Sequence, residues 1–347
     1  MANRPSSEPH PVPEGLVYHA GALGDFVLSL PAVFRVVQAH PELRWSLWGP
    51  PERLALLPGF GAAPPELLRW GHTLWGPAPA AEAVAALRGC RCVLAFGGRQ
   101  APGWEIPIGP RVLRVAAFPP QGGAWVPAHQ RRQLDAQGVG PTRTPWIPPW
   151  RTDVLPHREP TEILLHPGSG DPRKNLPAVV WTAVLHALRL RTALPVSLVL
   201  GPAERERGGW EALGGWADRV RPCASLEDLL AVLARARLYL GNDGGATHLA
   251  AALGIPTVAV FGPSDPALWR PLGKRVRVVR AAAPCAPCTP GGPAGCRDAR
   301  CWDGLPEDQV VAAAADLLGG GFAKQPGAYY SVTAAAGTAV RSQGGMI

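Results

Sequence analysis

Three short stretches combine glycine with charged or polar side chains in a way that suits an anionic ligand: residues 21–25 (GALGD), 166–174 (HPGSGDPRK) and 242–248 (NDGGATH). In the third, two glycines let the backbone approach a ligand. The helix that follows turns its first N–H groups outward, an arrangement that attracts phosphate. Asp243 there can accept hydrogen bonds from sugar hydroxyls and His248 can donate one; alternatively Asp243 caps the helix and His248 packs in its first turn. In the second stretch Gly168 and Gly170 free the backbone, while Arg173 and Lys174 bring two cations just before a helix, enough to neutralise a diphosphate. A lone turn lysine is ordinarily just solvated, but Lys174, Lys274 and Lys324 are the only lysines among 34 basic residues. Asp25 in the first stretch is either a carboxylate favoured by the helix macrodipole or a base facing a cleft. That stretch lacks the full G-x-G-x-x-G, and no G-x-x-x-x-G-K-[ST] occurs, which disfavours classical dinucleotide binding and P-loop hydrolysis.

Each stretch follows a strand-like run, and open α/β sheets bind ligands at the carboxyl ends of their strands. Leu16 to His19 reads as a strand, followed by a helix from about Phe26 to Ala39 with Phe26, Leu30, Val33, Phe34 and Val37 on one face. Arg44 to Trp48, Ala80 to Leu87 and Cys92 to Ala95 continue the alternation, so residues 15–140 form one α/β domain. Prolines repeated through 141–160 exclude helix interiors and central strands, which makes this segment a linker. Residues 161–318 then alternate more regularly. Strands are expected at Glu162 to His166, Val196 to Leu200, Leu238 to Gly241, Thr257 to Phe261 and Arg275 to Val279. Helices are expected at Pro177 to Leu190, Leu226 to Ala236, Ala246 to Leu253 and Pro306 to Leu318. Residues 1–14 read as a disordered leader and 319–347 as a loosely ordered tail.

The chain has 347 residues, 47% apolar and 17% charged, which points to two globular domains and excludes a disordered chain. Its formal charge of +8 implies anionic partners. The arginines are scattered without the aromatic interleaving of a nucleic-acid reader, so no nucleic-acid partner is expected. An anionic lipid surface or a phosphorylated sugar explains the sign equally well. The leader has no apolar segment of the kind that directs secretion, and the longest apolar run, Leu249 to Gly262, is too short to span a bilayer. A cytoplasmic location follows. Four of the seven cysteines, Cys285, Cys288, Cys296 and Cys301, have C-x2-C-x7-C-x4-C spacing. In a reducing compartment that spacing fits a structural zinc or iron site, with a metal-free loop as the alternative.

The three stretches together resemble glycosyltransferase family 9, the ADP-heptose:lipopolysaccharide heptosyltransferases. The resemblance rests on GALGDFVLSLPAV at 21–33, LLHPGSGDPRKNLP at 164–177 and YLGNDGGATHLAAALGIPTVAVFGPSDP at 239–266. Gly244 stands where the family usually has Ser or Thr, and Leu176 where it often has Trp. The resemblance implies a GT-B fold, two Rossmann-like domains facing each other across a cleft, and inverting transfer of a heptose, most simply from ADP-heptose, to a lipopolysaccharide inner core or related glycan. It implies Asp25 as the base, with Lys174 and the amides of Gly244, Gly245, Ala246 and Thr247 holding the diphosphate. Asp243 and His248 orient the sugar, and Ser169 and Arg173 complete the donor set. Glu204, with Glu206 in reserve, offers a carboxylate to ribose hydroxyls. Cationic stabilisation of the leaving diphosphate removes the need for a catalytic metal. An anionic glycolipid acceptor, together with the charge and 13 tryptophans, implies peripheral contact with the inner membrane face. The rival expectations are a catalytically silent nucleotide-sugar-binding protein or assembly partner, and a GT-B transferase with another donor sugar.

Overall fold

The computed structural model describes residues 14–63, 70–75, 80–98, 110–120, 123–141, 154–155, 159–280, 283, 285–288, 300–302, 305 and 307–319. Most of the expected leader, linker and tail, and Cys296, lie outside the described residues.

The first half runs β1 Gly15–Tyr18, α1 Leu23–Ala39, β2 Trp45–Trp48, β3 Gly61–Ala62, α2 Ala81–Leu87, β4 Cys92–Gly97, β5 Arg111–Ala116 and α3 Val126–Ala136. Its five strands pair in parallel in the order β3-β2-β1-β4-β5, so β1 is central and its carboxyl end opens at the point where the order reverses. α1 begins three residues earlier than the periodicity predicts, because Asp25 turns back to accept the Ala22 N–H at 3.3 Å. Gly24 and Asp25 therefore lie in the first helical turn. β5 and α3 escape pattern reading for composition reasons. In β5 (RVLRVA) arginines interrupt the apolar run, and α3 (VPAHQRRQLDA) is mostly polar and buries only Val126, Pro127, Gln130 and Leu134.

The second half runs β6 Glu162–His166, α4 Ala178–Arg189, β7 Val196–Leu200, α5 Pro202–Arg207, α6 Glu211–Gly214, β8 Arg219–Pro222, α7 Leu226–Leu233, β9 Ala236–Asn242, α8 Gly245–Ala252, β10 Thr257–Phe261, α9 Pro266–Trp269, β11 Val276–Arg280 and α10 Glu307–Leu318. All six strands are parallel, in the order β11-β10-β9-β6-β7-β8. The reversal falls between β6 and β9, so the loops after these two strands flank the crevice where ligands bind in such sheets. β6, β7 and β10 have the predicted bounds. Every residue of β10 is buried, as expected for a strand covered on both faces. The helix expected to Ala236 stops at Leu233, because Ala236 already opens β9. The stretch after β7 is the short helix α5 capped by Gly201.

The two halves meet where the N-terminus of α1 abuts that of α8. A Cβ on Gly24 would stand 3.1 Å from His248 Cδ2, and one on Gly245 would stand 2.9 Å from Leu23 Cβ. Only glycine permits so close an approach of the two helix starts. A second contact links Trp125 Nε1 to the Arg270 carbonyl at 2.9 Å, with the Arg270 guanidinium 4.4 Å above the indole ring. Among the described residues no helix is long and apolar enough to cross a membrane.

Candidate active site

The loops after β1, β6 and β9 converge. Asn242 stitches two of them: its side-chain oxygen accepts the Leu176 N–H at 3.0 Å and its amide donates to the Pro167 carbonyl at 2.5 Å. Gly244, not Asp243, is the N-cap of α8. That frees the Asp243 carboxylate, which is almost wholly buried, to act as a hub. Lys174 Nζ lies 2.7 Å from its Oδ2, the Ser264 hydroxyl donates to the same oxygen at 2.6 Å, and His248 Nε2 donates to Oδ1 at 3.1 Å. Burial alone would raise this carboxyl; the His248 bond and the Lys174 charge outweigh it and hold the group well below the ordinary carboxylate range. With Nε2 engaged, Nδ1 of His248 is buried without a hydrogen-bond partner among the described residues.

Asp25 reaches this cluster from the opposite sheet. Burial raises its carboxyl above the usual range, against the Ala22 N–H and the nearby His248 and Lys174, while Asp243 adds to the rise. A carboxylate raised in this way is suited to taking a proton from a hydroxyl. The turn before it is held from beneath by Arg53. The Arg53 guanidinium donates to the Gly21 carbonyl, and it contacts the His19 carbonyl and Nδ1, each at 3.3 Å.

Other expected residues take different places. Ser169 lies against Gly244, with its hydroxyl 2.7 Å from both the Asp171 carbonyl and Asn175 Oδ1. The Thr247 hydroxyl donates to the Asn242 carbonyl at 2.6 Å, so this residue and Ala246 offer backbone N–H groups rather than side chains. Arg173 does not join Lys174: its guanidinium is paired with Asp171 at 2.7 Å on the outside of the turn. Glu204 is buried over Gly168, accepting the Gly201 N–H at 2.9 Å with His166 Nε2 at 3.3 Å, whereas Glu206 is exposed. Cys285 is exposed, Cys288 half-buried and Cys301 buried in the second core. Among the described residues no three His, Cys, Asp or Glu side chains are grouped to hold a metal ion; Cys296, the fourth member of the expected site, lies outside them. Three contributors had gone without a role in the sequence: Ser264, though it lies in the quoted GPSDP; Arg207, which donates to the Ser169 and Gly170 carbonyls at 2.8 Å each; and Arg53, which no motif marks.

Two parallel sheets that bring a carboxylate and a basic, glycine-lined cluster to one seam follow the plan of a GT-B glycosyltransferase. The model of glycosyltransferase family 9 (heptosyltransferase) matches residues 130–292. Lipopolysaccharide heptosyltransferase 1 of Escherichia coli K12 is 27% identical over 312 residues, covering 77% of this chain and 93% of the relative. The solved heptosyltransferase WaaC of E. coli with ADP superposes with a TM-score of 0.59 at 21% identity, over 87% of this chain and 99% of that one. A family 9 glycosyltransferase from Veillonella parvula gives 0.63 at 17% identity, over 90% and 99%. In sequence over residues 130–292 and in fold over most of its length, the chain is similar to the heptosyltransferases of glycosyltransferase family 9.

Proposed function

We propose that the protein transfers a heptose from ADP-heptose to the inner core of a lipopolysaccharide or a related glycan, with inversion at the anomeric carbon. The carrying observation is the meeting of Asp25, raised by burial, with the Lys174–Asp243–His248 cluster across the seam between the sheets. Asp25 takes the proton of the acceptor hydroxyl as its oxygen bonds to the anomeric carbon. The bond from that carbon to the diphosphate oxygen breaks on the opposite face. The charge developing on ADP is met by Lys174 and by the backbone N–H groups at the start of α8, where a helix dipole favours an anion. His248, with Nδ1 still to be satisfied, and Asp243 face the sugar; Glu204 borders the crevice on the ribose side. The relatives' names support heptose and lipopolysaccharide as the substrates.

The test is a panel of nucleotide sugars and free nucleotides read by protection against thermal unfolding. ADP-heptose and ADP should raise Tm, by the ordinary linkage of binding to stability. A panel in which neither does so sinks the reading. We further propose that residues 15–140 carry the acceptor and 161–318 the donor. The +8 charge and 13 tryptophans support peripheral attachment on the cytoplasmic face of the inner membrane. Anionic vesicles that fail to retain the protein at low salt would remove that part.

A further inference from the structure

The cysteine-bearing segment takes no part in the transfer just described, yet two of its described residues touch the sugar-donor cluster. The Cys288 N–H donates to the Pro263 carbonyl at 2.8 Å. Trp302, immediately after Cys301, packs its indole flat against Gly262, where a Cβ would stand only 2.4 Å from Cζ2. The same indole donates from Nε1 to the Arg173 carbonyl at 3.2 Å. That carbonyl belongs to the peptide linking Arg173 to Lys174, whose N–H is in turn bound to the Asp171 carbonyl at 2.9 Å. Trp302 is therefore wedged between two backbone segments with a common target. One delivers Lys174 and the other delivers Ser264, and both side chains end on Oδ2 of Asp243, at 2.7 and 2.6 Å.

We propose that Trp302 is a positioning residue for the sugar donor: it sets the separation of the Lys174 and Ser264 arms around Asp243, and so how well the diphosphate is held. This rests on the reading of the site as one for ADP-heptose. Three observations favour positioning over mere core filling. The indole N–H is spent on the peptide that presents Lys174, rather than on its own segment. Its ring face meets Gly262, where a side chain would push the arm away. The residue is also buried at 6% exposure, so it does not contact ligand itself.

The experiment is a double-mutant cycle on the full chain, with Trp302→Phe, Lys174→Ala and the pair, read as ADP affinity by calorimetry and as KM and kcat for ADP-heptose. Phe retains a ring over Gly262 but loses the N–H. Losing one neutral hydrogen bond should weaken ADP binding by about threefold to tenfold in the parent background, raising KM for the donor with kcat little changed. In the Lys174→Ala background the same substitution should change affinity by less than about twofold, because the arm it positions is gone. Equal losses in the two backgrounds, or no loss in the parent, overturn the proposal, whatever happens to Tm. Should Trp302→Phe fold poorly, Gly262→Ala displaces the indole from its other face and enters the same cycle with the same expectations. A parent that binds neither ADP nor ADP-heptose instead removes the donor assignment, and so is distinguishable from a parent that binds ADP with a flat Trp302→Phe response, which removes only the role of Trp302.

Discussion

Two aspartates sit just beyond central strands, one in each sheet, and their surroundings push them in opposite directions. Asp243 is buried among partners: a lysine, a hydroxyl and an imidazole take its two oxygens, and its carboxyl is held well below the usual range. Asp25 is half-buried with one long side-chain bond, from the Ala22 N–H, and its carboxyl is raised. Burial costs the charged form in both places. What differs is compensation, and compensation separates an acid that organises a site from one left able to react.

The sharpest way to break this comparison is to remove each charge in turn. Asp25→Asn should lower transfer by about 10²- to 10⁴-fold, the usual contribution of a positioned base. Because the carboxylate is otherwise little engaged, ADP affinity and Tm should stay near parent values. Steady-state rates beside calorimetric titration with ADP give the check. A collapse of ADP binding would show that Asp25 holds the donor, and the two aspartates would then share one task.

The next effect is smaller and reads the coupling between the two regions. Lys174→Met removes a cation that pairs with Asp243 and also lowers the Asp25 carboxyl. ADP affinity should drop by about tenfold to a hundredfold, the range for a charge-assisted bond. The acid limb of kcat/KM should also move to higher pH, because Asp25, already raised, loses a neighbour that favours its ionised form. An unmoved limb, measured at saturating and at limiting acceptor, would mean that the limb belongs to another group.

How much of this could be read from the sequence follows from where each contact originates. β6, β7 and β10 were legible to the residue because strands covered on both faces carry mostly apolar side chains over a short run, and turn residues bound that run on each side. The three loops were legible because glycine, proline and charge mark turns at strand ends. The hub on Asp243 was not. Its partners come from 69 residues before and 21 after, and no local pattern says that Asp243 would escape the capping role that its position beside Gly244 suggests. The rarity of lysine singled out Lys174, but nothing local showed that Arg173 would turn away until Asp171, two residues back, claimed it. The cysteine spacing pointed to a metal and gave no sign that Cys288 and Trp302 would also contact the donor cluster, because those contacts reach back across the fold to Pro263, Gly262 and Arg173.

The last comparison lies within the Asp25 side of the seam, where a base is displaced as well as an acid. The ring of His19 is buried against Phe26 and Phe96, with Ser29 Oγ at 3.3 Å on one nitrogen and the Arg53 guanidinium at 3.3 Å on the other. Desolvation first, and the Arg53 charge second, push its pKa down to about 3. Asp25 is raised and His19 lowered, so both are driven toward their neutral forms. That is the mark of a desolvated turn, and a negative field could not move both groups that way. The consequence for stability has a definite sign. The folded chain refuses a proton that the unfolded chain accepts near pH 6.5, so the stabilisation due to His19 is complete above that pH. It drains away as pH falls toward about 3. His19→Gln, which keeps a polar side chain but cannot titrate, should be somewhat less stable than the parent at pH 8 through poorer packing. It should then lose less stability than the parent between pH 7 and pH 4, so that urea midpoints plotted against pH converge. Two parallel curves would mean that folding leaves the pKa of His19 where it is in the unfolded chain, and the contrast drawn between a desolvated turn and a charge-compensated cluster would fail at its own foundation.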